Sequence, residues 1–214
     1  MSQIQDKRGI LFIISAPSGA GKTTLVRTLR GRDPNLHVSV SHTTRPARPD
    51  EIDGQSYNFI DEATFRDLIE RDRFLEFAKV FDHHYGTSRD WVEQQLASGK
   101  DVILEIDWQG ASQVRRAMQD AVTIFILPPS FETLEKRLQC RGEDETTVNR
   151  RMRDARIELS HYREYDYIVI NETLDRARLE LETIIRAMRH NYALQTGHYD
   201  EFAEMLMEQS RNIE

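Results

Sequence analysis

From Ile10 to Thr24 the chain reads ILFIISAPSGAGKTT. An apolar run passes straight into a glycine-rich turn, then Lys22 and Thr23, then a helical pattern. No other stretch constrains the fold as much. A buried strand ends at a turn whose backbone N–H groups converge with those of the next helix N-terminus, and such a concavity holds an anion. Gly19 and Gly21 let the backbone close on phosphate with no side chain in the way. In this arrangement Lys22 reaches the β- and γ-phosphates of a nucleotide, and the Thr23 hydroxyl is the candidate ligand for Mg²⁺. The general pattern G-x-x-x-x-G-K-[ST] has glycine where this chain has Ala16. The plain alternative is a strand–turn–helix whose glycines only relieve backbone strain. The flanking strand and helix, and a Lys22-Thr23 pair for which packing offers no purpose, favour phosphate binding.

Four further short apolar, β-branched or aromatic runs read as buried strands: Leu36–Val40, Val102–Ile106, Val122–Leu127 and Tyr167–Ile170, besides Ile10–Ile14. Several are apolar throughout, as a parallel sheet covered on both faces requires. Helical spacing falls between them, over Lys22–Arg30, Arg89–Ala97, Gln109–Met118, Phe131–Leu138 and Leu174–His190. Such alternation predicts an α/β layered fold, with ligands beyond the carboxyl ends of the strands. From about His42 to Arg89 the alternation breaks. Pro46, Pro49 and the Asp53-Gly54 turn signal precede a short strand, Tyr57–Ile60, and a helix, Asp61–Arg71. This region reads as an inserted, β-rich lobe. Arg141–Thr147 is a charged, irregular stretch suited to a lid over a nucleotide. The tail from Thr196 to Glu214 has helical apolar spacing at Phe202, Met205 and Leu206, a candidate surface for self-association.

The 214 residues suffice for one domain with insertions, and 39% hydrophobic with 30% charged residues is ordinary for a soluble protein. A net charge of −7 argues against a dedicated nucleic-acid binder, which is usually basic, but not against a phosphorylated ligand met by local arginines. Cys140 is the one cysteine, so no intrachain disulfide forms, which fits a reducing compartment. No signal or membrane-spanning segment is legible, and a cytoplasmic location is expected. His83 and His84 lack metal-ligand spacing with a cysteine or carboxylate motif, so zinc is not expected. Trp91 and Trp108 read as packing residues, and Arg150 as a surface charge.

A second constellation is VSHTTRPARPDE, residues 40–51, where Arg45 and Arg48 lie three apart in a proline-stiffened stretch with Glu51 and Tyr57 close behind. Arginine suits bidentate phosphate contact. Alone, such a loop is ordinary solvated surface. After a strand, in a chain with a phosphate loop, it is a candidate reader of a second phosphorylated ligand.

The segments APSGAGKTT, VSHTTRPARPDEIDG, YNF, FLEFAKVFDHHYGTSRD, ILEIDWQGA, FILPPS, EKRLQCRG and DYIVIN follow the order found in guanylate kinases, over about residues 10 to 171. The chain resembles the bacterial members, which also carry alanine at the place of Ala16. The resemblance implies an α/β, P-loop NTPase-like fold. A parallel five-stranded sheet flanked by helices (residues 1–41 and 89–214) would carry an inserted GMP-binding lobe (residues 42–88) and a helical lid (about 138–155). It implies transfer of the γ-phosphoryl of ATP to GMP with Mg²⁺, dGMP being a further acceptor, and no nucleic-acid or membrane partner. ATP would lie on Ala16, Pro17, Ser18, Gly19, Ala20, Gly21, Lys22, Thr23 and Thr24, with Arg141 and Asn171 toward adenine.

By the same resemblance Ser41, Glu76 and Asp107 read the guanine edge. A carboxylate suits that edge because guanine offers N1–H and N2–H donors together, and such a site rejects a base that leaves its groups unpaired. Arg45, Arg48, Tyr57 and Tyr85 hold the GMP phosphate, Glu51 orients them and Thr87 lies beside. Lys22, Arg45, Arg137 and Arg151 form the catalytic cation set, and Arg141 packs near adenine or the phosphates. The resemblance also puts Glu105 among the GMP-binding residues; the family's core strand reads I-L-D-I-D, whereas here it reads ILEID, so Glu105 stands where aspartate is usual. Two other readings stay open: a nucleoside monophosphate kinase for another base, and a non-catalytic module binding phosphorylated peptides. Ser41 with Glu76 favours guanine, and intact Lys22, Thr23 and Arg137 favour catalysis.

Overall fold

The computed structural model describes residues 7–80, 82–140 and 145–211. Strand β1 (Leu11–Ser15) is buried along its whole length. It pairs in parallel with β7 (Asp101–Glu105) on one side and β8 (Val122–Leu127) on the other. β2 (Leu36–Val38) extends the sheet beyond β7, and β9 (Tyr167–Ile170) extends it beyond β8. In the order β2-β7-β1-β8-β9, β1 is the central strand, and ligands of such a parallel sheet bind beyond the carboxyl ends of its strands.

Alternation along β1 divides the core. Phe12 and Ile14 face α1 (Lys22–Arg30) and α7 (Leu174–Met188), packing with Leu25, Val26, Leu29, Ala177, Leu181 and Ile185. Leu11 and Ile13 face α3 (Arg89–Ala97) and α4 (Trp108–Ala117), through Val92, Leu96, Ala111 and Val114. Both faces are covered, which explains the apolar runs read in the sequence. Side-chain caps start the helices: Ser88 accepts from Trp91 N–H, Asp107 from Gly110 N–H and Ser130 from Thr133 N–H.

A second sheet has the order β4-β3-β6-β5. Its strands are β3 (His42–Thr43), β4 (Asn58–Phe59), β5 (Phe74–Val80) and β6 (His83–Ser88). The β5–β6 pairing is antiparallel and bulged: Phe74 faces Ser88, but Glu76 faces Thr87. Helix α2 (Glu62–Glu70) is capped by Asp61 and buries Phe65 against Phe74, ring centroids 4.6 Å apart.

The strand expected over Leu36–Val40 stops at Val38, because the chain turns there toward the second sheet, where Asn58 bonds the carbonyls of Val40 and Ser41. The stretch expected to be irregular over Arg141–Thr147 is already helical from Glu145, where α6 (Glu145–Ser160) begins after α5 (Phe131–Gln139). Arg141 itself lies outside the described residues. The tail forms α8 (Thr196–Arg211), with Phe202 and Leu206 exposed. No helix among the described residues is long and apolar enough to cross a membrane.

Candidate active site

The turn between β1 and α1 is held from beneath. Ala20 N–H donates to Pro17 O at 3.0 Å. Ala20 O accepts from Asn171 Nδ2 at 2.7 Å and from Arg137 Nη1 at 3.1 Å. Gly19 and Gly21 adopt φ of 88° and 95°, where an L side chain is strained. A Cβ on Gly21 would also stand 2.5 Å from Asn171 Nδ2. Beside the turn is a cavity of about 450 Å³, lined by Gly19, Gly21, Thr24, Arg137, Cys140 and Asn171. Asn171 therefore lies at both the turn and the cavity. Ala16 is half-buried, packed against the core.

The carboxyl end of β7 joins this turn to the second sheet. Lys22 Nζ donates to Ile106 O at 3.3 Å, and Thr23 Oγ1 donates to Glu105 Oε2 at 3.0 Å. The next residue, Asp107, caps α4 through Gly110 N–H at 2.9 Å. Across from it, Glu76 is buried and takes the Thr87 hydroxyl on Oε1 at 2.6 Å. Burial pushes the Glu76 carboxyl up to about 7; the Thr87 bond opposes this and the Asp107 charge adds to it.

Arg45 is the centre of a second group. Its Nη2 donates to both oxygens of Glu51, at 2.7 and 2.9 Å. Glu51 also receives Arg48 N–H at 2.9 Å, so one carboxylate fixes the loop and the guanidinium. Arg45 holds the Glu51 carboxyl below its usual range. Tyr57 and Tyr85 stand edge to face, centroids 5.9 Å apart, with Arg45 over the Tyr57 ring. Burial, then the neighbouring Tyr85, raises the Tyr57 phenol; Glu105 also contributes. The Arg48 side chain is exposed and Ser41 is half-buried.

Helix α6 approaches the turn through Ser18. Arg151 Nη1 donates to Ser18 Oγ at 3.2 Å, and Ser18 N–H donates to Glu158 Oε2 at 3.1 Å. Arg151 and Glu158 are seven apart, two helical turns, so one face carries both. Burial raises the Glu158 carboxyl. No motif marks Glu158 in the sequence, although its spacing from Arg151 is visible there.

The family model described as guanylate kinase matches residues 8–188. The chain belongs to the guanylate kinase family. A guanylate kinase of Photobacterium profundum is 51% identical over 203 residues, covering 94% of this chain and 98% of that protein. One of Chromohalobacter salexigens is 57% identical over 183 residues, covering 85% of each. The crystal structure of guanylate kinase from Anaplasma phagocytophilum superposes with a TM-score of 0.77 at 33% identity, covering 91% of this chain and 94% of that one. In this member of the guanylate kinase family the end of β7 meets Lys22 and Thr23 on one side and the ionisable groups of Glu76 and Tyr57 on the other. Glu105, grouped with the GMP readers on sequence, has its carboxylate on Thr23, at the edge of the phosphate loop. Trp108 does not enter the core; it stacks on His161 at 3.8 Å between ring centroids. His84 sits on Glu62 at 3.0 Å.

Proposed function

We propose that this chain transfers the γ-phosphoryl group of ATP to GMP, giving ADP and GDP. One observation supports the reading most: consecutive residues at the end of β7 serve the phosphate loop and the carboxylate pair of half-buried Asp107 and buried Glu76. Glu105 meets Thr23, Ile106 O meets Lys22, and Asp107 faces Glu76. Donor and acceptor sites meet on one strand end, as direct transfer requires.

Residues 42–88 act as the acceptor lobe. The Glu76 and Asp107 carboxylates accept from N1–H and N2–H of guanine, with Ser41 and Thr87 completing the polar edge. Arg45 and Arg48, with Tyr57 and Tyr85, hold the GMP phosphate, and Glu51 keeps Arg45 aimed. ATP lies along residues 16–24, with its base in the cavity beside Asn171. Arg141 is proposed for the same side of the nucleotide, from outside the described residues. An oxygen of the GMP phosphate attacks the γ-phosphorus in line. The bond from that phosphorus to the β,γ-bridging oxygen breaks, and its electron pair leaves with ADP. Lys22, Arg137 and Arg151 spread the developing charge. The lid read over about residues 138–155, of which 141–144 lie outside the described residues, is proposed to close over the site and exclude water.

The Thr23 hydroxyl and the Glu105 carboxylate, 3.0 Å apart, are hard oxygens of the kind that suits Mg²⁺, which retains water and phosphate oxygens for the rest of its shell. Bound there, Mg²⁺ supplies charge neutralisation at the β- and γ-phosphates. The acceptors proposed are GMP and dGMP, without nucleic-acid or membrane partners. The lone Cys140 fits a cytoplasmic place in purine metabolism, and the exposed Phe202, Leu206 and Met207 of α8 suit a homo-oligomer contact. Chromatography of ATP and GMP incubated with purified protein and Mg²⁺ tests the reaction. Stoichiometric ADP and GDP are expected, and folded protein that forms no GDP overturns it.

A further inference from the structure

We propose that Gly110 determines acceptor recognition by positioning both guanine-facing carboxylates, an inference that rests on Glu76 and Asp107 reading the base. Gly110 lies buried in the first turn of α4. Its N–H holds Asp107 Oδ1 at 2.9 Å. Its missing side chain leaves the space that Glu76 occupies. A Cβ there would stand 2.7 Å from Glu76 Oε2 and 3.2 Å from Glu76 Cδ, while the next neighbour, Ile106 Cβ, is at an ordinary 3.4 Å.

Backbone conformation does not call for glycine at this position, since the residue is helical and is not among those with positive φ. Alanine forms helix better than glycine. The close approach to Glu76 is what remains. Thr87 holds Oε1 from one side, and the bare α-carbon of Gly110 bounds Oε2 on the other. The carboxylate is thus fixed in depth between a strand and a helix. An added methyl displaces the far end of a side chain, not backbone, so the fold yields at Glu76.

Gly110→Ala tests this with separate KM values for GMP and ATP. The expected result is a folded protein whose GMP KM rises roughly ten- to hundredfold while ATP KM stays within about twofold. A glycine that serves only helix packing would change thermal stability without this split. In the double variant Gly110→Ala with Glu76→Asp, the shorter carboxylate withdraws from the new methyl. The combined rise in GMP KM should then be smaller than the product of the single effects. If Gly110→Ala does not fold, Glu76→Asp should restore folding by relieving the same clash. Unchanged GMP KM, equal rises for both nucleotides, strictly multiplicative effects, or no restored folding would overturn the inference. Glu76→Gln with Gly110 intact separates the two levels. If it leaves GMP KM unchanged, the guanine reading itself fails; if it raises GMP KM and Gly110→Ala does not, only the role of Gly110 fails.

Discussion

The Thr87 hydroxyl donates a 2.6 Å hydrogen bond to Oε1 of Glu76, across the bulge that sets these residues opposite each other on β5 and β6. Both side chains are buried, so the bond is the local support for a charge that burial disfavours. Bulges re-aim side chains beside active sites. Thr87→Val keeps the shape and removes the donor. It should raise GMP KM at pH 7 by roughly tenfold, since a buried charge loses about 1.5–3 kcal/mol of hydrogen bonding. ATP KM should not move. Steady-state kinetics with each nucleotide varied in turn check this, and equal effects on both would contradict it.

Glu76 also predicts opposite effects on activity and stability. Its carboxyl titrates at about 7 in the folded chain, against an ordinary 4.5. Guanine N–H donors need the ionised form, so GMP KM should fall by roughly tenfold as pH rises from about 6 to 8. Stability runs the other way. Between 4.5 and about 7 the folded state holds a proton that the unfolded state has released, so raising pH through this window favours unfolding. Glu76→Gln removes the charge and keeps an acceptor for Thr87. It should be more stable than the parent above pH 7, by at most about 3 kcal/mol, with the difference vanishing below about pH 4.5. The same variant should bind GMP poorly. Denaturant melts at several pH values test the sign; a variant less stable than the parent at pH 8 would contradict it.

Glu105→Gln should separate the phosphate loop from the acceptor lobe. If Glu105 acts with Thr23 in holding the metal, the Mg²⁺ concentration for half-maximal rate rises by roughly an order of magnitude. GMP KM stays near the parent value. A Mg²⁺ titration at saturating nucleotides reads the first, and a GMP titration at saturating Mg²⁺ reads the second. A rise confined to GMP KM would return Glu105 to the acceptor side.

Arg189, after α7, ties the C-terminal part of the chain to the sheet. It bonds Asp101 at 2.6 Å and Asp33 at 2.7 Å, while Asp101 also accepts Ile10 N–H at 2.8 Å. Asp101 is almost fully buried. Arg189→Ala leaves that charge without its cation and should cost about 2–4 kcal/mol, discounted for the partial exposure of the pair with Asp33. The melting temperature should fall by on the order of 5–15 °C. Turnover below the melt should be unchanged, because the network is remote from the nucleotide site. Calorimetry with a parallel rate measurement tests this; unchanged melting would show that the network contributes nothing.

The layered core was legible because β1, β7 and β8 are buried on both faces, so their sequences carry continuous apolar runs bounded by turns. Lys22 and Thr23 were legible because the motif is local. The second sheet was harder to read. β4 falls inside the run Tyr57–Ile60 read as a strand, but β3 has two residues, and pairing across the lobe defines it, not its own propensity. β5 places a carboxylate at a buried position, which breaks the apolar pattern a strand reading relies on. The Glu105–Thr23 contact joins residues 82 positions apart, which no local pattern signals. The space beside Gly110 exists only after α4 and β5 have packed, and no local pattern in WQGA announces it.

In the proposed reaction β7 brings a phosphate-loop donor site against a carboxylate pair that reads guanine. ADP release measured with MgATP against GMP, dGMP, AMP, UMP and CMP tests it most directly. Fast turnover on GMP, activity on dGMP and little on the other three are expected. Comparable turnover on AMP or the pyrimidine nucleotides, or none on any acceptor from folded protein, would contradict it.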